Sequence, residues 1–168
     1  MKYSAVMKVS VIDVVEGTSV DGPGLRTAIY FAGCGHHCEG CQNPQSWDIA
    51  AGTPTEIDDL LRVIDYNDFN VTFSGGDPLF QPEGVALLAR RIREELRKTV
   101  WCYTGYVWED IVSDRRFHEI LRNIDVLVDG RFDIGMRDTS LRFRGSSNQR
   151  LIDVQASLAS GCVVLWQD

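Results

Sequence analysis

Phe69-Asn70-Val71-Thr72-Phe73, running into Ser74-Gly75-Gly76-Asp77-Pro78-Leu79, decides how this chain is to be read. Five residues rich in aromatic and β-branched side chains read as a strand. Two glycines and a proline then break it. Pro82 suits the first turn of a helix, where its missing N–H would have had no partner. Val85, Leu88, Ile92 and Leu96 recur at helical spacing and give that helix a buried stripe. Thr99–Tyr103 is a further strand, closed by Thr104-Gly105-Tyr106. Short helices are expected near Val107–Val112 and Phe117–Leu121, and Asp125–Asp129 is the next strand. The strand starts at 69, 99 and 125 lie about 26–30 residues apart with helical patterns between them. That rhythm is βαβ, which implies a parallel sheet with right-handed crossovers. At 168 residues the chain is too short for eight such units. The expected fold is α/β: a partial (βα) barrel or an open, mostly parallel sheet with flanking helices, in a single domain over residues 1–168.

Working outward, Ala5–Val15 is rich in valine and reads as a strand. Gly17 to Arg26 holds Gly22-Pro23-Gly24, a fixed turn. Leu25–Ala32 is a second strand, which delivers the chain into a loop over 33–47. Beyond the loop, Thr55 is expected to cap a helix, with Glu56, Asp58 and Asp59 in its first turn and Ile57, Leu60, Leu61 and Ile64 buried. The stretch from about 130 to 150 is polar and aperiodic, with Arg131, Arg137, Arg142, Arg144 and Arg150. Long loops of this kind are usually functional or mobile. Leu151–Val154 and Gly161–Trp166 read as two short final strands or one strand after a turn.

Composition excludes several classes. Lysine and arginine total 17 against 24 acids, a net charge of −7, which argues against a nucleic-acid surface. No run of eighteen apolar residues is present, so no membrane span is expected. The N-terminal residues lack a secretory pattern, so a cytoplasmic protein with reduced cysteines is expected.

Three of the five cysteines, Cys34, Cys38 and Cys41, fall within eight residues. Clustered thiolates select zinc, copper(I) or an iron–sulfur cluster. A closed zinc site wants four ligands, commonly two pairs from separate places, and no second pair exists here. Three cysteines suit a four-iron cluster with one iron left open. Zinc or an inert loop stays an alternative on spacing alone. Cys102 and Cys162 stand apart among apolar neighbours. In a parallel sheet, ligands bind beyond the C-terminal strand ends. The cysteine loop, Ser74–Asp77, Tyr103–Gly105 and Asp129–Arg131 all fall at such ends and should face one side. Paired glycines admit a ligand close to the backbone, Asp129 suits sugar hydroxyls, and Arg131 suits a carboxylate. A plain strand-end ion pair is the alternative for these last two.

The spacing Cys34-x3-Cys38-x2-Cys41, with Ser74-Gly75-Gly76-Asp77-Pro78 on the following strand, resembles the radical S-adenosylmethionine enzymes. Val20–Arg26 narrows the resemblance to activases of glycyl-radical enzymes. Cys41–Trp47, Tyr103–Tyr106, Val128–Phe132 and Arg144–Arg150 narrow it to the family that activates anaerobic, class III ribonucleotide reductases. The likeness covers about residues 17–154. Two positions depart from the wider pattern: Gly40 stands where an aromatic residue is common, and Asp77 where many members carry Glu.

The resemblance implies a 4Fe–4S cluster on Cys34, Cys38 and Cys41, with S-adenosylmethionine chelating the open iron. Reduction by one electron then cleaves S-adenosylmethionine, and the resulting 5′-deoxyadenosyl radical takes a hydrogen from a glycine of the reductase. No side chain need act as acid or base. Gly40, Cys41 and Gln42 would border the adenine, and Gly75, Gly76 and Thr104 would hold the methionine moiety; Asn43 and Asp77 would belong to the same cofactor-binding set. Asp129 would take the ribose and Arg131 the carboxylate. The implied partners are the glycyl-radical subunit of the reductase and a flavodoxin- or ferredoxin-type electron donor. Asn148 and Arg150 are expected to help dock the reductase; the alternative is a loop whose arginines pair with the chain's own acids. Rival readings are an activase of another glycyl-radical enzyme such as the pyruvate formate-lyase type, a small radical enzyme acting on a free metabolite, and a non-catalytic zinc or iron–sulfur module.

Overall fold

The computed structural model describes residues 6–168; Ala5, the expected start of the first strand, lies outside them. β1 (Lys8–Thr18) and β2 (Arg26–Phe31) form an antiparallel pair, with β3 (Thr53–Glu56) antiparallel on the outer edge of β1. β4 (Asn70–Gly75), β5 (Val100–Tyr103) and β6 (Val126–Asp129) continue parallel to β2. β7 (Arg150–Asp153) closes the far edge, antiparallel to β6. The sheet is open, mixed, and ordered β3-β1-β2-β4-β5-β6-β7, with its parallel part at the centre. This is the expected α/β class.

Helices link the parallel strands. α1 (Ile57–Asn67) has Asp58 and Asp59 in its first turn, where the helix dipole favours negative charge. Its N-cap is Glu56, not the expected Thr55, which lies in β3. α2 (Pro82–Arg91) starts at Pro82 and runs on through a widened turn over Ile92–Leu96. α3 (Trp108–Ser113) and α4 (His118–Asn123) follow β5. β7 matches the expected strand at Leu151–Val154 to within one residue; α5 (Val154–Ser160), which was not expected, fills the stretch after it, and of the segment Gly161–Trp166 just Leu165 bridges to Ile152.

Side chains alternate across each strand. Ile29, Phe31, Val71, Phe73, Cys102, Leu127 and Ile152 face the main core with the helix stripes, including Leu60, Ile64, Val85, Leu88 and Ile92. The opposite face carries Trp101, Val126 and Val128, covered by Tyr103, Phe143, Leu151 and Trp166. Arg26 belongs to this second layer. It is 1% exposed, donates to Thr72 Oγ1 at 2.8 Å and to the Val71 carbonyl at 2.7 Å, and lies 5.5 Å from the Trp101 ring centroid. Burial pulls its guanidinium down to about 10, so it stays charged at neutral pH. Thr72 Oγ1 in turn donates to the Asp21 carbonyl, and Tyr30 donates to the Asp21 carboxylate. The Gly-Pro-Gly turn is thereby folded onto the second face of the sheet. Among the described residues no helix is long and apolar enough to cross a membrane.

Candidate functional site

The loop after β2 is sewn shut by its own backbone. Gly33 N–H donates to the Ser46 carbonyl at 2.8 Å, and Cys34 N–H to the Trp47 carbonyl at 3.0 Å. Between these closures the chain turns tightly. Cys41 N–H donates to the Cys38 carbonyl at 3.2 Å, with Gly40 at φ 73° between them. That left-handed conformation suits glycine and disfavours an aromatic residue, which gives a local reason for Gly40. Asn43 N–H points at Cys41 Sγ, 3.4 Å away.

Cys34, Cys38 and Cys41 line one cavity of about 220 Å³, together with Gly75, Gly76 and Thr104. Gln42, Asn43 and Gly130 share its wall. An adjoining cleft of about 700 Å³ shares His36, Gly105 and Gly130 with it and carries Asp129, Arg131, Asn148 and Arg150. The four strand-end segments therefore do gather on one side. Cys102 is fully buried in the core, where burial pushes its thiol well up, and Cys162 is exposed. Burial also raises the Cys34 thiol; a cationic metal would offset that penalty by stabilising the thiolate.

The donor set fits a multinuclear cluster. Three thiols that open on one cavity can hold a group of several irons, one for each sulfur.

Gly75 and Gly76 pack directly under the loop. Gly75 has φ 103°. A Cβ at Gly76 would come within 2.5 Å of the Gly33 carbonyl oxygen and 2.9 Å of that of Ser46. Gly76 N–H donates to the Phe31 carbonyl and Asp77 N–H to the Gly33 carbonyl, both at 2.8 Å. Glycine at 76 is thus demanded by the fold itself, before any ligand is considered.

Asp77 is 1% exposed and fully engaged. Its Oδ1 accepts from Leu79 N–H at 2.9 Å, and its Oδ2 from Thr104 Oγ1 and Gly105 N–H, each at 2.9 Å. His36 Nε2 lies 2.8 Å from the same Oδ2. The carboxylate joins three strand-end segments. Thr104, buried beside it, commits its hydroxyl proton to Asp77 and accepts from Tyr106 N–H at 3.2 Å.

Asp129, also 1% exposed, takes Trp108 N–H at 2.8 Å and two contacts from Arg150, at 3.1 and 2.5 Å. Arg150 also reaches Glu109 with both terminal nitrogens, at 3.1 and 2.8 Å. This pairing raises the Arg150 guanidinium and holds Glu109 below the usual carboxylate range. Asn148 donates to the Arg131 carbonyl at 2.8 Å, and the Arg131 side chain is exposed at the cleft rim. Arg142 pairs with Asp168, and Arg144 donates to the Gln149 carbonyl. The polar loop is therefore organised, with a short 3-10 turn at Ile134–Met136 and a bridge from Arg137 to Ser146.

His36, weighed in the sequence only as a possible fourth zinc ligand, and Trp47 and Gln149, given no site role there, also line the cavity. Gln149 staples the loop: its Oε1 accepts from Gly145 and Ser146 N–H at 2.9 and 3.2 Å, and its Nε2 donates to the Gly130 carbonyl at 3.0 Å. Position in the cysteine loop was the available signal for His36 and Trp47, and membership of the Arg144–Arg150 motif was the signal for Gln149.

Comparison with known proteins gives concordant matches. A model of the 4Fe-4S single cluster domain matches residues 20–152. An anaerobic ribonucleoside-triphosphate reductase-activating protein of Pasteurella multocida is 37% identical over 140 residues, 77% of this chain and 88% of its own. The Escherichia coli K12 protein of that name is 38% identical over 140 residues, covering 77% and 89%. The one from Enterobacteria phage T4 is 34% identical over 139 residues, covering 79% and 86%.

Proposed function

The chain belongs to the anaerobic ribonucleoside-triphosphate reductase-activating proteins, and on that premise we propose that Cys34, Cys38 and Cys41 each anchor one iron of a 4Fe–4S cluster. It is a radical S-adenosylmethionine activase that installs a glycyl radical on anaerobic ribonucleotide reductase. When bound, the cluster would supply the single electron for reductive cleavage of S-adenosylmethionine, the chemistry that would draw a hydrogen from a glycine of the reductase. The protein supplies binding, orientation and exclusion of water.

One observation carries the assignment of residues: three thiols share a cavity with the paired glycines at the ends of parallel strands. Gly40, Cys41, Gln42 and Asn43 border the adenine. Gly75 and Gly76 form the floor beneath the methionine moiety. Thr104 meets that moiety through its backbone carbonyl, since its hydroxyl is tied to Asp77 and its N–H to the Val128 carbonyl. Asp77 acts by holding the loop in place. Three donors occupy three of roughly four lone-pair positions on Asp129, which leaves one for a ribose hydroxyl. Arg131, exposed on the rim, faces the carboxylate. Asn148 and Arg150 border the surface offered to the reductase.

Residues 1–168 act as one unit in this reading. A flavodoxin- or ferredoxin-type protein donates the electron. The cytoplasm suits thiols that must stay reduced, and a net charge of −7 disfavours nucleic acid as a partner. The test is to mix the reduced, air-free protein with S-adenosylmethionine and the reductase. Methionine release together with a glycyl-radical resonance on the reductase is expected. Methionine release without that resonance would point to a different acceptor.

A further inference from the structure

Phe132 follows β6 and lines the same cavity as Cys34, Cys38 and Cys41. Its chain is held on both sides. The Gly130 carbonyl accepts from Gln149 Nε2 at 3.0 Å, and the Arg131 carbonyl from Asn148 at 2.8 Å. Asp133 N–H donates to Oγ of the buried Ser146 at 3.1 Å. Against the ring stands Gly145, whose missing side chain makes room for it. A Cβ there would lie 3.1 Å from Phe132 Cδ2 and 3.3 Å from Cε2. Two residues on, Ile134 reaches the cysteine loop, where a Cβ on Gly40 would lie 2.6 Å from its Cδ1. Asp133 between them is extended, at φ −114° and ψ 112°, which turns Phe132 and Ile134 to one side. Phe132 therefore flanks Gly40–Gln42, the stretch that borders the adenine in the reading above.

The other rings at the cavity are already committed. Trp47 stacks on His37, and His36 meets Tyr106 edge to face. Tyr103 packs in the second apolar layer, with its hydroxyl on the Phe143 carbonyl. Phe132 is partly exposed. Among the described residues it pairs with no other ring and belongs to neither apolar core. A preorganised aromatic ring left to a cavity suits a flat heteroaromatic ligand, because stacking needs only a π-face on each side. We propose that Phe132 is the ring on which the adenine of S-adenosylmethionine packs, and that it contributes to affinity without holding the cluster. The inference deepens, and rests on, the reading that this cavity takes S-adenosylmethionine.

The test uses reconstituted, air-free holoprotein, left unreduced so that no cleavage occurs, and titrated calorimetrically with S-adenosylmethionine. Phe132→Ala should keep its iron and sulfide and lose about tenfold in affinity, ~1.4 kcal/mol. Phe132→Tyr keeps the ring and should stay within about twofold of wild type. A competing probe, 5′-deoxyadenosine, keeps the adenine and lacks the methionine, and Phe132→Ala should weaken it by the same factor. Unchanged affinity for S-adenosylmethionine in Phe132→Ala with full iron content overturns the inference, and so does a loss that spares 5′-deoxyadenosine. Unchanged affinity with less glycyl radical on the reductase also overturns it, and gives the ring to the reductase instead. Should Phe132→Ala fail to hold iron, Phe132→Leu, which fills the place without a ring, decides with the same expectation. A wild type that holds its cluster but binds no S-adenosylmethionine overturns the underlying reading, and this inference with it.

Discussion

His36 Nε2 lies 2.8 Å from Asp77 Oδ2, so a carboxylate just beyond the end of β4 grips the cysteine loop between its first two cysteines. Both side chains are nearly inaccessible, 8% and 2% exposed. Thr104 and Gly105 complete the contact from the end of β5. The loop that presents the thiols is thus fastened to two neighbouring strands through one buried group.

Asp77→Asn should therefore be costly. An amide must turn its NH₂ toward donors at one of the two positions, leaving buried groups unsatisfied at about 1–3 kcal/mol each. The urea midpoint should fall, and iron retention with it. His36→Ala should fall less, because Thr104 and Gly105 still satisfy the carboxylate. An unchanged midpoint in Asp77→Asn would show that the contact contributes nothing to the loop.

Gly76→Ala separates a fold requirement from a ligand requirement. The added methyl meets the carbonyl oxygens of Gly33 and Ser46, backbone atoms that cannot yield by a rotamer change. Both stability and iron content should drop, together with affinity for S-adenosylmethionine. Full stability and full iron with only that affinity lost would mean that the glycine serves the ligand alone.

Arg150 and Asn148 should behave differently from each other. Arg150→Ala strips a buried carboxylate of its cation. Breaking a fully buried pair costs about 3–5 kcal/mol, and Arg150 is about one-third exposed, so solvent screening brings the expected loss nearer to ~2 kcal/mol. Cleavage of S-adenosylmethionine and glycyl radical formation should then fall together. Asn148→Ala touches only the exposed Arg131 carbonyl contact. Cleavage with an artificial reductant should survive, while radical formation on the reductase falls about tenfold, or ~1.4 kcal/mol. Equal loss of both activities in Asn148→Ala would move that residue from the docking surface into the cofactor pocket.

Much of the fold was legible because its central strands obey strong local rules. The apolar runs at 69–73, 99–103 and 125–129 are short, β-branched and bounded by glycine or polar turns, and three of the four parallel strands follow from them. β3 was missed because Thr53-Pro54-Thr55-Glu56 is an exposed edge strand with a proline, and edge strands carry little periodicity. The same residues imitate a helix start, which put the cap one position early. α5 is seven residues of mostly small side chains, Val154–Ser160, too short for a stripe to show. In the site, the cysteine spacing is local and readable. The contacts of Asp77 with His36 and of Asp129 with Arg150 join residues 41 and 21 positions apart. Only the folded sheet brings such pairs together, and they turn groups expected to meet a ligand into groups largely occupied by the protein.

The central claim is that Cys34, Cys38 and Cys41 together hold one four-iron cluster. It is tested most directly by iron, sulfide and zinc analysis of air-free protein, wild type beside Cys34→Ala, Cys38→Ala, Cys41→Ala and the exposed-site control Cys162→Ala. The account predicts about four irons and about four sulfides per chain in wild type and in the control, and loss of the intact cluster in each of the other three. Zinc at about one per chain with little sulfide, or an undiminished cluster in Cys38→Ala, would contradict it.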